Sequence, residues 1–279
     1  MVMTVVGNGD SIAANYERDG LLHTIRQALA TMGRSPEDVD LHTLSAVDEF
    51  HVGGRAATED LVTRLDVSAE QRVLDIGCGL GGPARFISQA TGCRVDGVDL
   101  TASYVAAGNE LSQWVDLQQT VTLVQGSALD LPYADGVFDA AYMIHVGMNI
   151  EDKPQLMREA FRALKPGGRF VIYDVMLPVP ADLDFPLPWA EQASSSFLGA
   201  PSDYVAALTA AGFARCTVVD RTDFAIDFFA AMAAARKHGP APLGLHLLLG
   251  DTALQKLQNI GRQVHMHRIA PTLVTGLKV

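Results

Sequence analysis

Apolar and polar positions alternate with two different periods along this chain. Between Ser11 and Thr31, Leu21, Leu22, Ile25 and Leu29 recur at helical spacing, Met32 extends the series, and Gly33 closes it. A second helix is expected over Arg55–Leu65. From Arg72 the pattern shortens. Arg72–Ile76, Arg94–Asp99, Val121–Gln125, Phe138–Ile144 and Gly168–Val175 are short apolar runs that read as strands. Helical stretches separate them at Pro83–Thr91, from Thr101 as cap to about Asp116, and at Lys153–Leu164. Strands alternating with helices of this length predict an α/β fold with a parallel sheet and right-handed crossovers.

Beyond Pro178 the rhythm breaks. Pro180, Pro186 and Pro188 predict a loop, Ser202–Ala211 a helix stopped by Gly212, and Ala214–Asp220 a strand. Phe224–His267 reads as mostly helical with a break at Gly239–Pro240, and Ile269–Leu277 as a last strand. The expected organisation is an N-terminal helical arm at 1–54 and a core at 55–279 carrying a helical insertion at about 221–268.

Composition narrows the function. The 279 residues are 48% hydrophobic and 19% charged, so the chain can bury a real core. Its net charge of −11 argues against a nucleic-acid partner and against an anionic membrane surface. No apolar run approaches a membrane span, and no basic, apolar leader is visible at Met1–Asp10, so a cytoplasmic location is expected. Cys78, Cys93 and Cys216 form no CxxC pair, and His265 and His267 lack a matching ligand cluster, so no metal site is expected. A homodimer is one assembly that an apolar stripe over Phe224–Met232 would allow.

The chemistry-bearing segment is Val73-Leu74-Asp75-Ile76-Gly77-Cys78-Gly79-Leu80-Gly81-Gly82, at the end of the first strand. Glycines let a ligand approach the main chain, and the following helix presents unpaired N–H groups. Asp99 ends the second strand, where a carboxylate can accept from ribose hydroxyls. Gly77, Gly79 and Gly82 also satisfy GxGxxG, which fits an NAD-dependent oxidoreductase equally well. Asp75 favours a cationic ligand portion over a pyrophosphate, because like charges repel.

Further segments follow in order: Gly97-Val98-Asp99-Leu100, Gln125-Gly126-Ser127-Ala128-Leu129-Asp130-Leu131-Pro132-Tyr133, Phe138-Asp139-Ala140-Ala141-Tyr142 and Leu164-Lys165-Pro166-Gly167-Gly168-Arg169-Phe170. Together with Val73–Gly82 they resemble the ordered motifs of class I S-adenosylmethionine-dependent methyltransferases, in the small-molecule group that includes ubiquinone, sterol and glycine/sarcosine enzymes. That resemblance implies a Rossmann-like, seven-stranded, mostly parallel sheet whose last two strands form a reversed hairpin. It implies S-adenosylmethionine as cofactor, held by Asp75, Gly77, Gly79, Gly81, Asp99, Leu100, Ser127 and Ala128. Ser127 stands where the family often has Asp, so adenine contact is expected to rest more on Ala128, Leu100 and Leu129. The loop at Asp48–Gly54 is expected to cover the cofactor through His51, with Tyr16 of the arm closing over it. The alternatives are a simple linker for the loop and a core or surface aromatic for Tyr16.

Methyl transfer is an in-line displacement in which the enzyme mainly aligns the reactants and excludes water. His145, just past the fourth strand, is the sequence's candidate acid/base and a candidate cofactor contact, the alternative being that only its backbone touches the cofactor while the ring packs or hydrogen-bonds locally. Phe185, Leu187, Trp189, Phe197, Phe224, Phe228, Phe229 and Met232 are expected to form an apolar lid over a small organic acceptor, or, for the stripe from Phe224, a buried helix face. Two rival functions stay open: the NAD-dependent oxidoreductase, and a sulfonium-binding protein of the same fold that promotes rearrangement or serves as a binding module.

Overall fold

The computed structural model describes Tyr16, residues 20–235 and residues 241–279. The expected break at Gly239–Pro240 and most of the expected first helix before Gly20 lie outside these residues.

The described elements run α1 (Leu21–Thr31), α2 (Leu41–Asp48), α3 (Gly54–Leu65), β1 (Arg72–Ile76), α4 (Gly82–Thr91), β2 (Arg94–Asp99), α5 (Ala102–Trp114), β3 (Val121–Gln125), β4 (Phe138–Ile144), α6 (Lys153–Ala163) and β5 (Leu164–Met176). They continue with α7 (Pro201–Ala211), β6 (Phe213–Asp220), α8 (Thr222–Ala235), α9 (His246–Leu249), α10 (Ala253–His265) and β7 (Ala270–Lys278). The seven strands form one sheet in the order β3-β2-β1-β4-β5-β7-β6. Strands β1 to β5 pair in parallel, and β7 inserts antiparallel between β5 and β6. This reversed β7 departs from the all-parallel order of dinucleotide-binding dehydrogenases.

Both faces of the sheet are buried, which is why its central strands read as continuous apolar runs. On β1, Leu74 and Ile76 face Met157, Ala160 and Leu208 of α6 and α7, while Val73 faces Leu61, Ala84 and Ile87 of α3 and α4. Asp75 shares the Val73 face by the period of two and is buried there.

Two further clusters close the top of the sheet. Leu21, Ile25 and Leu29 of α1 pack with Leu44, Tyr104, Leu111 and Leu248, bringing α1, α2, α5 and α9 together. Val52, Met148, Trp189, Ala225, Ile260 and Val264 join the β6–β7 insertion to the loops after β4 and β5.

Two local expectations need correction. Thr101 precedes α5 but its side chain caps nothing; its N–H instead donates to Asp99 Oδ1 at 2.9 Å. The eight-residue α2 was not foreseen. Its Asp40 N-cap accepts from the Thr43 N–H at 2.7 Å, and that Asp-x-x-Thr signal was available in the sequence.

Candidate active site

A cavity of about 580 Å³ opens at the carboxyl ends of β1, β2 and β4, within the size range of small-molecule sites. Asp75, Gly77, Gly79, Asp99, Leu100, Ser127, Ala128, His145, Tyr16 and His51 all line it. Gly81 does not. Its backbone lies in the left-handed region at φ 76° as the residue preceding α4, and a Cβ there would meet Leu123 at 2.8 Å. It shapes the loop from behind.

The floor is the β1–α4 loop. Gly77 has φ 77°, and an added Cβ would stand 2.3 Å from Val146 Cγ2, so no other residue fits this turn. Its N–H donates to the Val98 carbonyl at 2.7 Å, locking the loop to β2. Asp99 finishes the lock by accepting from the Gly79 N–H at 2.8 Å through Oδ2. Burial pushes its carboxyl up, against the pull of those backbone donors.

Asp75 lies deeper. Tyr142 donates its hydroxyl to Oδ2 at 2.8 Å. Burial drives the carboxyl up to about 8, the Tyr142 bond opposing and the Asp99 charge adding. A buried acid held near neutrality is a ready partner for a cation arriving in the cavity.

Ser127 accepts the Leu129 N–H at 3.1 Å and so shapes its own turn. One lone pair and the hydroxyl proton remain for a ligand.

The roof comes from elsewhere in the chain. Tyr16 donates to Asn149 Oδ1 at 3.2 Å and packs edge-on against Phe50 and Tyr104. Burial raises its phenol pKa, so the hydroxyl stays protonated. His51 sits in a tight turn through Gly54, whose N–H donates to the His51 carbonyl at 3.1 Å. Gly53 lies at the close approach of this turn to α8, where a Cβ would meet Phe224 Cε1 at 2.3 Å.

His145 occupies the left-handed region at φ 55°, uncommon for a side chain and worth a functional reading. Its N–H donates to the Tyr173 carbonyl at 2.8 Å. The ring lies 5.3 Å from Tyr173 and 6.1 Å from His51, centroid to centroid, and its Nε2 is buried without a partner among the described residues. Burial and the neighbouring His51 both lower its pKa.

Of the expected lid, Trp189, Phe228, Phe229 and Met232 line the cavity. Phe185, Leu187, Phe197 and Phe224 do not. Leu187 is core, and Phe224 is spent on contact with the Gly53 turn. Asn149 and Tyr104 line the cavity and were not singled out by sequence; neither stands in a pattern that marks it. Among the described residues no group of three metal-ligating side chains comes together.

A nucleoside-sized cleft above a glycine loop, with one carboxylate at the end of β2 and another beneath the loop, defines a class I methyltransferase fold. The family profile described as "Methyltransferase domain" matches residues 74–172. Over those residues the chain is similar to class I S-adenosylmethionine-dependent methyltransferases. Methyltransferase GfsG of Streptomyces halstedii is 37% identical over 133 residues, covering 48% of this chain and 48% of that protein. The chain thus spans about half the length of this curated relative. Among solved structures, geranyl diphosphate C-methyltransferase from Streptomyces coelicolor A3(2), in complex with Mg²⁺, geranyl diphosphate and S-adenosyl-L-homocysteine, superposes with a TM-score of 0.72 at 20% identity, covering 100% of both chains. The [4+2]-cyclase SpnF superposes at 0.65 with 22% identity, covering 93% of this chain and 95% of that one.

Proposed function

We propose that the chain transfers a methyl group from S-adenosylmethionine to an O, N or C atom of a small, partly apolar organic molecule. One observation carries this reading: a single cavity joins Asp75, the glycine loop and Asp99 to an apolar compartment of Trp189, Phe228, Phe229 and Met232.

The lining fits the cofactor. Asp99 would accept from the ribose hydroxyls, Asp75 would hold the ammonium of the methionine portion, and Leu100, Ser127, Ala128 and Leu129 would border the adenine. When bound, the sulfonium supplies a methyl group already activated by its positive charge. The chain's work is then to hold the acceptor in line and to keep water out. Tyr16 and Asn149 bridge the arm to the loop after β4, and the insertion supplies the apolar wall. The division into an arm at 1–54 and a core at 55–279 belongs to the same reading. So does the absence of a nucleic-acid partner, which the net charge of −11 supports. A cytoplasmic location and the option of a homodimer are also carried within it. Among the described residues no helix is long and apolar enough to cross a membrane.

The test is titration with S-adenosylhomocysteine and with NADH, followed by a screen of small acceptors for mass gain of one methyl group. Nucleoside-sulfide binding with methyl gain is expected. NADH binding alone would restore the oxidoreductase. Cofactor binding with no methyl gain on any acceptor would favour the non-transferring alternative, for which SpnF shows that the fold accommodates another reaction.

The charge of the lining limits the acceptor. Among the described lining residues there is no lysine or arginine, whereas Asp48, Asp75, Asp99, Glu151 and Asp152 are all present. Phosphate groups are normally met by guanidinium, ammonium or metal. Geranyl diphosphate without Mg²⁺ is therefore expected to gain no methyl group, in contrast to neutral apolar acceptors. Methyl incorporation into the diphosphate, read by mass, would contradict this.

Asp75 makes cofactor binding pH-dependent. Below about 8 its carboxyl is neutral in the free chain. Against a bound ammonium it ionises, so binding releases a proton and affinity rises with pH up to about 8, by at most roughly tenfold per unit. Calorimetry with S-adenosylhomocysteine in buffers of different ionisation enthalpy measures the proton directly. Asp75→Asn should abolish the release.

A further inference from the structure

We propose that His51, rather than His145, is the general base of the site, accepting the acceptor's proton on Nδ1. This rests on the methyl-transfer reading above.

The hydrogen bonds of the two rings separate them. Among the described residues, every polar neighbour of the His51 ring lies at Nε2, and each is an acceptor there. The Gly54 carbonyl stands at 3.0 Å. The Thr58 hydroxyl stands at 3.3 Å, and it has already given its own proton to Glu49 Oε2 at 2.6 Å. Glu49 Oε2 itself lies 3.5 Å from Nε2. A nitrogen facing three acceptors carries the hydrogen. Nδ1 is therefore left as the unprotonated nitrogen, on a ring that lines the cavity. His145 offers no such order: among the described residues its buried Nε2 has no partner to set its tautomer or hold its ring for proton transfer.

The Gly54 carbonyl orients the ring from Nε2, and Glu49 stands behind it at 3.5 Å, its carboxyl pushed up by burial and held down by Arg55 and Thr58. Arg55 holds Glu49 in place from its other oxygen at 2.7 Å. The acceptor atom bonds to the methyl carbon while the carbon–sulfur bond breaks, its electron pair staying on sulfur as the neutral thioether. The acceptor's proton passes to Nδ1. The resulting imidazolium faces Glu49 through Nε2–H and returns the proton to water after product leaves.

Burial holds the free His51 imidazole down to about 4, the Gly54 bond and the Asp48 charge opposing and Arg55 adding. Nδ1 is thus unprotonated at neutral pH. The charged and titratable groups facing the ring are Asp48 at the end of α2, Glu49 just after it, Arg55 from α3, His145 after β4 and Tyr173 of β5.

His51→Gln keeps an N–H for the Gly54 carbonyl and removes the base. With phenols as acceptors at neutral pH, it should lower turnover roughly a hundredfold, while S-adenosylhomocysteine affinity stays within a few-fold. The loss should largely vanish on a nitrophenol already ionised in solution, and added imidazole should restore turnover to His51→Ala. Nitrogen NMR of the histidine-labelled, cofactor-free wild type should show His51 protonated on Nε2 alone. A His51 proton on Nδ1 would overturn the proposal, as would equal losses on ionised and un-ionised phenols, or near-wild-type turnover of His51→Gln on un-ionised phenols. Wild type that binds S-adenosylhomocysteine but methylates no acceptor would instead sink the methyl-transfer reading, and the base with it.

Discussion

Asp99→Ala is expected to raise the dissociation constant of S-adenosylhomocysteine at least a hundredfold. Two effects combine. Hydrogen bonds from a sugar hydroxyl to a charged acceptor contribute about 1.5–3 kcal/mol each, and two such bonds are available from a ribose diol. Asp99 also holds the β1–α4 loop and the start of α5, through the Gly79 and Thr101 N–H groups. Alanine leaves both donors without their acceptor, so the loop that must meet the nucleoside loses its shape as well. About 3 kcal/mol corresponds to the hundredfold change. Asp99→Asn keeps one acceptor oxygen and should lose less. Calorimetry decides the matter: an affinity within threefold of wild type would remove Asp99 from the ribose site. An equal loss in both variants would mean that charge, not loop geometry, carries the effect.

Much of the sheet was legible because its central strands are buried on both faces. Arg72–Ile76, Arg94–Asp99, Val121–Gln125 and Phe138–Ile144 appear in the structure with the bounds their apolar runs predict. Each is short, and the first three are closed by glycine or a charged residue, so period and length agree. β5 begins earlier than expected, at Leu164 rather than Gly168, because backbone pairing continues through a turn whose glycines read as a break. The helical insertion resolves into α8, α9 and α10. α9 is too short to show a helical period and is placed by packing against α1, a contact that no local pattern encodes.

The site divides along the same line. Asp75, Gly77, Gly79 and Asp99 sit in one local motif, and their places follow from strand ends. The roof does not. Tyr16 reaches Asn149 across the whole of the first four strands, and His51 acquires its orientation from Gly54, Thr58 and Glu49 in a turn expected to cover the cofactor but whose bonds no local pattern spells out. His145 was the conspicuous histidine because it follows a strand end. That its Nε2 has no partner among the described residues becomes visible only when the packing of Tyr173 and His51 around it is known.

The roof depends on one buried ion pair, and removing its cation should be the most destabilising single change in the site's surroundings. Arg85 of α4 is fully buried and donates through Nη2 to Asp48 Oδ2 at 2.7 Å. Nη1 adds the Gly108 carbonyl at 2.9 Å and Ser112 Oγ at 3.2 Å. Asp48 is the last residue of α2 and leads directly into Glu49 and the His51 turn. Burial pushes its carboxyl up, and Arg85 is the main force holding it down. Arg85→Met strands that carboxyl in a dry environment, at a cost of about 3–5 kcal/mol. For a chain of this size that corresponds to a fall of roughly 10 °C in Tm. The pair's own net contribution is far smaller, because Asp48 Oδ1 and Arg85 Nε find no partner among the described residues and both ions give up hydration. Arg85→Met combined with Asp48→Leu should therefore recover most of the lost stability in denaturant titration. A single variant within about 1 kcal/mol of wild type, or a double variant no better than the single, would show that the pair is not what fastens α2 to α4.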